Sequence, residues 1–195
     1  ASDNITIHVE PIPSIDITST PPVCINDTSI QVSATPAGVT WSGNGITDIS
    51  AGAFNPGIAG TGTHTLTYTY DNGVCSNSAQ TEIEVVDLPD ASIISTGPYC
   101  ITGSTVTLEA VNTGGTWSGS GITDADSGTF DPQIAGAGTH TIEYSLSNGT
   151  CTSVNSVSIT VLDAPEITLV NSQNPLCHNG SDGMLEVESP AVAST

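Results

Sequence analysis

Residues 40–87 recur at 116–163 with a constant offset of 76 and no gap. Cys24 matches Cys100, Trp41 matches Trp117, His64 matches His140, Cys75 matches Cys151 and Asp87 matches Asp163. A gap-free repeat of this length means tandem copies of one small domain, each long enough to bury its own core. Duplicating a domain along a chain lengthens the molecule and multiplies whatever surface it carries. It rarely builds a composite catalytic centre. The repeat therefore predicts an extended array and not an enzyme.

The offset also sets the boundaries. Ile83, Val85 and Asp87 close one copy as Ile159, Val161 and Asp163 close the next, giving copies at 11–87 and 88–164. Ile7 and Val9 fall opposite Ile83 and Val85, so 1–10 reads as the last strand of a preceding copy. Pro13, Pro89 and Pro165 mark three starts, and 165–195 reads as the opening of a third, truncated unit. With no initiator Met, signal peptide or apolar spanning run, the chain is expected to be a segment of a longer polypeptide. Pro11-Ile12-Pro13, Leu88-Pro89 and Ala164-Pro165 leave only short, φ-restricted connections, from which an end-to-end arrangement of the copies is expected.

There is no Lys and no Arg, and 20 acidic residues give a formal charge of −20. Ordinary usage would supply roughly 20 basic residues. Nucleic acid requires cationic side chains to release counterions, and anionic membrane surfaces require Lys or Arg. Both partners are excluded, as are Arg or Lys phosphate clamps, Lys–Asn isopeptide crosslinks and trypsin cleavage. An acidic, secreted protein fits this composition. So does a salt-rich or calcium-dependent setting, in which cations screen the self-repulsion.

Cysteine usage points outside the cell. Cys24/Cys75 and Cys100/Cys151 share a spacing of 51 residues. Equal spacing predicts one disulfide within each copy, Cys24–Cys75 and Cys100–Cys151, each worth about 4 kcal/mol in the chain-entropy model. Reduced, inert thiols are the alternative. Cys177 is unmatched, and its partner is expected in the missing part of the third unit. No CxxC pair or Cys/His cluster suggests zinc.

Period-two alternation dominates each copy. Ile30 and Val32 share one face of Ser29–Ala34, as Val106 and Leu108 do in Thr105–Ala110. His64, Leu66, Tyr68 and Tyr70 alternate with threonines, and Ile83 and Val85 face inward from the closing strand. Such Thr-, Val-, Ile- and Tyr-rich runs are half-buried strands. Asn72-Gly73 and Asn148-Gly149 separate two of them in each copy and predict type I′ hairpins. The Gly- and Pro-rich stretch between Gly43 and Gly62 predicts a shaped loop pinned by Phe54, with Phe130 as its counterpart. Short strands, frequent turns and a Cys…Trp…Cys order predict an all-β chain of tandem immunoglobulin-like β-sandwich domains.

The motif W-S-G-x-G-I-T-D, then G-x-F-(D/N)-P-x-I-A-G-x-G-T-H-T, then N-G-x-C closing on I-x-V, resembles the immunoglobulin-like and PKD-like repeats of giant secreted surface adhesins of Bacteroidota. Cys177-His178-Asn179-Gly180-Ser181-Asp182-Gly183, followed by Met184-Leu185-Glu186-Val187, resembles the opening of the SprB-type repeat of gliding-motility adhesins. The resemblance implies type IX secretion, outer-surface display and engagement with the gliding machinery. It supplies no catalytic residue.

Trp41, Trp117, Tyr68 and Tyr144 read as core residues and not as sugar platforms. His64 and His140 read as hydrogen-bonded structural residues, and no nucleophile elbow or zinc-protease motif is present. Calcium is the one cofactor considered. Asp124, Asp126 and Asp131 group hard oxygens around a turn, and Asp87 with Asp90, and Asp163 with Glu166, pair acids at the copy junctions. The expected function is a structural and adhesive repeat segment that meets an extracellular surface or polysaccharide. The alternative is a spacer or carbohydrate-binding accessory region of a large secreted enzyme.

Overall fold

A computed structural model describes residues 9–38, 40–95, 97–173 and 184–188. Most of 1–10, together with Cys177 and the motif around it, lies outside the described residues. The chain divides into two compact units, 1–90 with 146–153, and 91–145 with 154–195. Each is an immunoglobulin-like β-sandwich, and the described residues are all-β apart from two single helical turns.

The first copy contains β1 (Asp16–Ile17), β2 (Val23–Cys24), β3 (Ile30–Gln31), β4 (Ala34–Thr35), β5 (Thr40–Ser42), β6 (Ile46–Asp48), β7 (Ala53–Phe54), α1 (Pro56–Ala59), β8 (Gly62–Asp71) and β9 (Ser76–Val86). One sheet runs β2-β9-β8-β5 and the other β3-β7-β6, with β1 and β4 paired beside them. Val23, Trp41, Leu66, Tyr68, Ile83 and Val85 from the first sheet meet Phe54 from the second, and Val32 just after β3, in one buried cluster. Burial from both sheets into a shared layer is what makes a sandwich. The alternation read in β8 and β9 holds, since Leu66 and Ile83 are fully buried.

The second copy repeats this order as β10 (Tyr99–Cys100), β11 (Val106–Thr107), β12 (Thr116–Gly119), β13 (Ile122–Asp124), β14 (Thr129–Phe130), α2 (Pro132–Ala135), β15 (Gly138–Ser147) and β16 (Thr152–Leu162). Its sheets are β10-β16-β15-β12 and β11-β14-β13. The pairing of β1 with β4 survives as a single bridge, Ile93 with Ala110. Beyond the second copy, β17 (Thr168–Gln173) and β18 (Met184–Glu188) form an antiparallel pair.

The shaped loop is fixed as its glycines demand. Phe54 and Phe130 are fully buried. Gly121 has φ +89°, and a Cβ there would lie 2.6 Å from a Phe130 ring carbon. Gly128, at φ +70°, would put a Cβ 2.6 Å from the Trp117 indole nitrogen. Only a residue without a side chain fits against these rings in that conformation. Asn55 and Asp131 cap α1 and α2 through side-chain oxygens, with Pro in the first turn of each.

One turn differs from the sequence expectation. Asp71 pairs with Ser76, which leaves four residues between β8 and β9 and not the two of a type I′ hairpin. The Asn72 side chain is the reason. Its oxygen accepts the Val74 and Cys75 amide hydrogens at 3.0 and 2.8 Å, and the Asn72 N–H donates to the Cys75 carbonyl. An Asx turn thus replaces the backbone turn. Asn148 does the same for Thr150 and Cys151, at 3.1 and 2.8 Å.

Candidate functional site

The two cysteines of a copy lie at opposite ends of its last strand. β2 runs parallel to the end of β9, with Cys24 beside Val86, whereas Cys75 immediately precedes the start of β9 at Ser76. An 11-residue strand separates them by about 35 Å, and a disulfide requires Cα atoms within about 7 Å. The second copy is built alike, with Cys100 beside Leu162 and Cys151 just before Thr152. The disulfides expected from spacing, Cys24–Cys75 and Cys100–Cys151, are therefore not formed. The structure joins Cys24 to Cys151, with Cα atoms 5.6 Å apart and 127 residues between them in sequence. Cys75 and Cys100 are free thiols.

The turn that carries Cys151, residues 146–153, belongs to the first compact unit. A hydrogen bond holds it there as well as the disulfide. The Asn148 side-chain amide donates to the Asp87 carbonyl at 3.0 Å. The Cys151 sulfur lies 3.7 Å from the Val86 carbonyl and the Cys24 sulfur 3.6 Å from that of Thr150. Cys151 is 1% exposed. A polar clasp and a covalent bond thus meet at one point, where β2 and β9 end.

A shallow groove recurs at matching positions of the two units. In the first it is lined by Gln31, Ala37, Trp41, Ser50 and Tyr68, with a volume of about 190 Å³. In the second it is lined by Thr107, Thr113, Trp117, Asp126 and Tyr144, with a volume of about 330 Å³. The indoles form its floor and present almost no face, at 3% and 5% exposure for Trp41 and Trp117. Each packs on a tyrosine ring, with centroids 4.8 and 4.5 Å apart. The Tyr68 hydroxyl donates to the Pro36 carbonyl and that of Tyr144 to the Asn112 carbonyl. These aromatics are core, as their alternation predicted.

His64 and His140 each place Nε2 2.8 Å from a backbone carbonyl, of Gly60 and Gly136. The proposed calcium ligands also have local roles. Asp124 accepts the amide hydrogens of Asp126 and Ser127, and Asp131 caps α2 through the Gln133 amide. Asp87 and Asp163 accept the amide hydrogens of Leu88 and Ala164. Among the described residues, no three His, Cys, Asp or Glu side chains converge where they could hold a metal ion. Asp124 thus closes its own turn while Asp131 caps α2, and among the described residues neither junction pair, Asp87 with Asp90 or Asp163 with Glu166, gathers a third acid.

The Ser127 and Asp126 amides, with the Ser127 hydroxyl, hold the Asp124 carboxyl below its ordinary value. Its contribution to the turn is complete above about pH 4, the ordinary aspartate pKa, and is lost as pH falls through the lower folded value. Carboxyl-carbon NMR should give Asp124 a midpoint below that ordinary value. A midpoint at or above it would show that the turn does not hold the carboxylate.

No protein-family model matches the chain, and no curated protein matches it. Similar solved structures include Drosophila N-cadherin EC1-4, at 11% identity and TM-score 0.33, covering 77% of this chain and 50% of that one. Sidekick-1 immunoglobulin domains 1–5 match at 12% identity and TM-score 0.34, over 92% of this chain and 46% of that one. Fibronectin(III)-like modules of Clostridium thermocellum CbhA match at 16% identity and TM-score 0.32, over 77% and 95%. The chain spans about half the length of the cadherin and Sidekick structures.

Proposed function

We propose that this chain is a structural and adhesive repeat segment of a long extracellular adhesin, serving surface attachment or gliding motility. The observation that carries the reading is the Cys24–Cys151 bond, which joins one copy of a duplicated sandwich to the next. When the chain is pulled from its ends, that bond takes residues 25–150 out of the load path. A segment clipped in this way transmits force without lengthening, as a surface-anchored adhesin requires. A disulfide of this kind persists in an oxidising, extracellular compartment. The sequence resemblance adds type IX export and outer-surface display to the proposal. The segment has no catalytic role and needs no cofactor, and its target is an extracellular surface or polysaccharide.

Antibodies against residues 9–173 should label intact, unpermeabilised source cells, and cells lacking the segment should lose attachment or gliding. Labelling only after permeabilisation would overturn the reading. The groove present in both copies favours one other reading, a carbohydrate-binding accessory region of a secreted enzyme. Calorimetric titration of the chain with soluble polysaccharides separates the two. Saturable binding weakened by Asp126→Ala would favour the accessory region.

A further inference from the structure

The bond observed joins the strand-end cysteine of one copy to the turn cysteine of the next, which leaves one unused half-site of each kind. Cys100 is the strand-end cysteine of the second copy, and Cys75 is the turn cysteine of the first. Each half-site matches its bonded counterpart in local structure. Cys24 sits beside Val86, with the Ile25 amide on the Val86 carbonyl at 3.0 Å; Cys100 sits beside Leu162, with the Ile101 amide on the Leu162 carbonyl at 2.8 Å. Asp163 bonds its own following amide as Asp87 does, at 2.8 and 2.9 Å. The turns around Cys75 and Cys151 share the same Asx geometry, and both amide-to-sulfur-residue bonds measure 2.8 Å.

What differs is cover. Cys151 is buried where its turn is seated, whereas the Cys75 side chain is half-exposed and Cys100 is exposed. Leu162 is 46% exposed, whereas Val86, beneath the seated turn, is half-buried. The Cys75 turn and the Cys100 strand end are thus formed but unoccupied halves of a clasp that the same chain shows closed once.

We propose that Cys100 and Cys75 close the same disulfide with further copies of this repeat. Cys100 would take the turn cysteine of a following copy, and Cys75 the strand-end cysteine of a preceding one. The staple then runs from copy to copy through an array. This rests on the array reading above. In the isolated chain a second molecule supplies the missing copy, so that Cys100 of one molecule bonds Cys75 of another. Complementary ends of this kind make a heterologous contact that propagates and does not close into a symmetric dimer. A low-molecular-weight disulfide such as oxidised glutathione is the oxidant. A protein thiolate attacks it and releases one glutathione, and the second protein thiolate displaces the other. One protein S–S bond forms and the glutathione S–S bond breaks. The two thiol protons and the electron pair leave with two glutathione thiols.

The full chain carrying Cys177→Ser, concentrated in a glutathione redox buffer, tests this on non-reducing gels. The expected result is a ladder of linked multimers, abolished by dithiothreitol, with Cys75 joined to Cys100 by peptide mapping. Adding Cys75→Ser or Cys100→Ser should remove every band above monomer, and mixing those two variants should restore one dimer linked through Cys100 and Cys75. Three results overturn the proposal: persistent monomer with both thiols free, a Cys75–Cys100 bond within one molecule, and Cys75–Cys75 or Cys100–Cys100 links in preference to the mixed one. Surface labelling of cells is unaffected by any of these, so failure here is distinguishable from failure of the adhesin reading.

Discussion

Phe130→Ala should lower the stability of the second unit by about 3–5 kcal/mol. Phe130 is fully buried in β14, which lies between β11 and β13 and registers with both Val106 and Ile122. Its ring lies 5.7 Å from that of Tyr99, and the Gly121 backbone is close against its edge. Collapse around a deleted ring is limited when a sheet and a left-handed glycine fix the walls. The cavity would therefore persist, and its cost adds to the lost transfer energy. Small domains carry about 5–15 kcal/mol in total, so most of the unit's stability is at stake. Each unit contains one tryptophan, Trp41 in the first and Trp117 in the second. Urea unfolding followed through Trp117 in a Trp41→Phe background reads the effect. A loss below about 1 kcal/mol would place Phe130 outside the core that organises this loop.

Cys24→Ser and Cys151→Ser should each destabilise the first unit by about 2–5 kcal/mol under oxidising conditions, the range for loss of a native disulfide. Cys75→Ser and Cys100→Ser should each change monomer stability by less than about 0.5 kcal/mol. The asymmetry is the informative part. Disulfides within each copy would make Cys75→Ser as costly as Cys24→Ser, and Cys100→Ser as costly as Cys151→Ser. Reduction with dithiothreitol should bring wild type to the level of Cys24→Ser. Denaturant unfolding followed through Trp41 checks all four variants. Equal losses across them would contradict the pairing.

The sandwich was legible because period-two alternation and a repeated set of glycines report directly on burial. Leu66, Ile83, Phe54 and Trp41, all read as inward from sequence, are core residues. The hairpin type was not legible. Asn-Gly signals a turn, but whether the asparagine serves by its backbone or by its side chain depends on the next two residues, and here the side chain captures the amides of Val74 and Cys75. The disulfide was misread for a more general reason. In a tandem repeat, spacing fixes a pairing only up to a shift by whole copies. Cys24 with Cys75 and Cys24 with Cys151 are equally consistent with a 76-residue offset. What decides between them is the parallel register of β2 on the far end of β9, a long-range pairing that no local signal encodes. The local roles of the acidic residues were not legible either. Neighbouring carboxylates were visible, but not that Asp124 and Asp131 turn to cap their own backbone.

The central claim is that copies are joined by a bond that skips two cysteines, Cys75 and Cys100. Cleavage before aspartate releases the five cysteines on five separate peptides, which begin at Asp16, Asp71, Asp90, Asp131 and Asp163. Mass spectrometry of the alkylated, non-reduced digest should find the Asp16 peptide linked to the Asp131 peptide, with alkylated Cys75 and Cys100 on the Asp71 and Asp90 peptides of the monomer. Links from Asp16 to Asp71 and from Asp90 to Asp131 would contradict it.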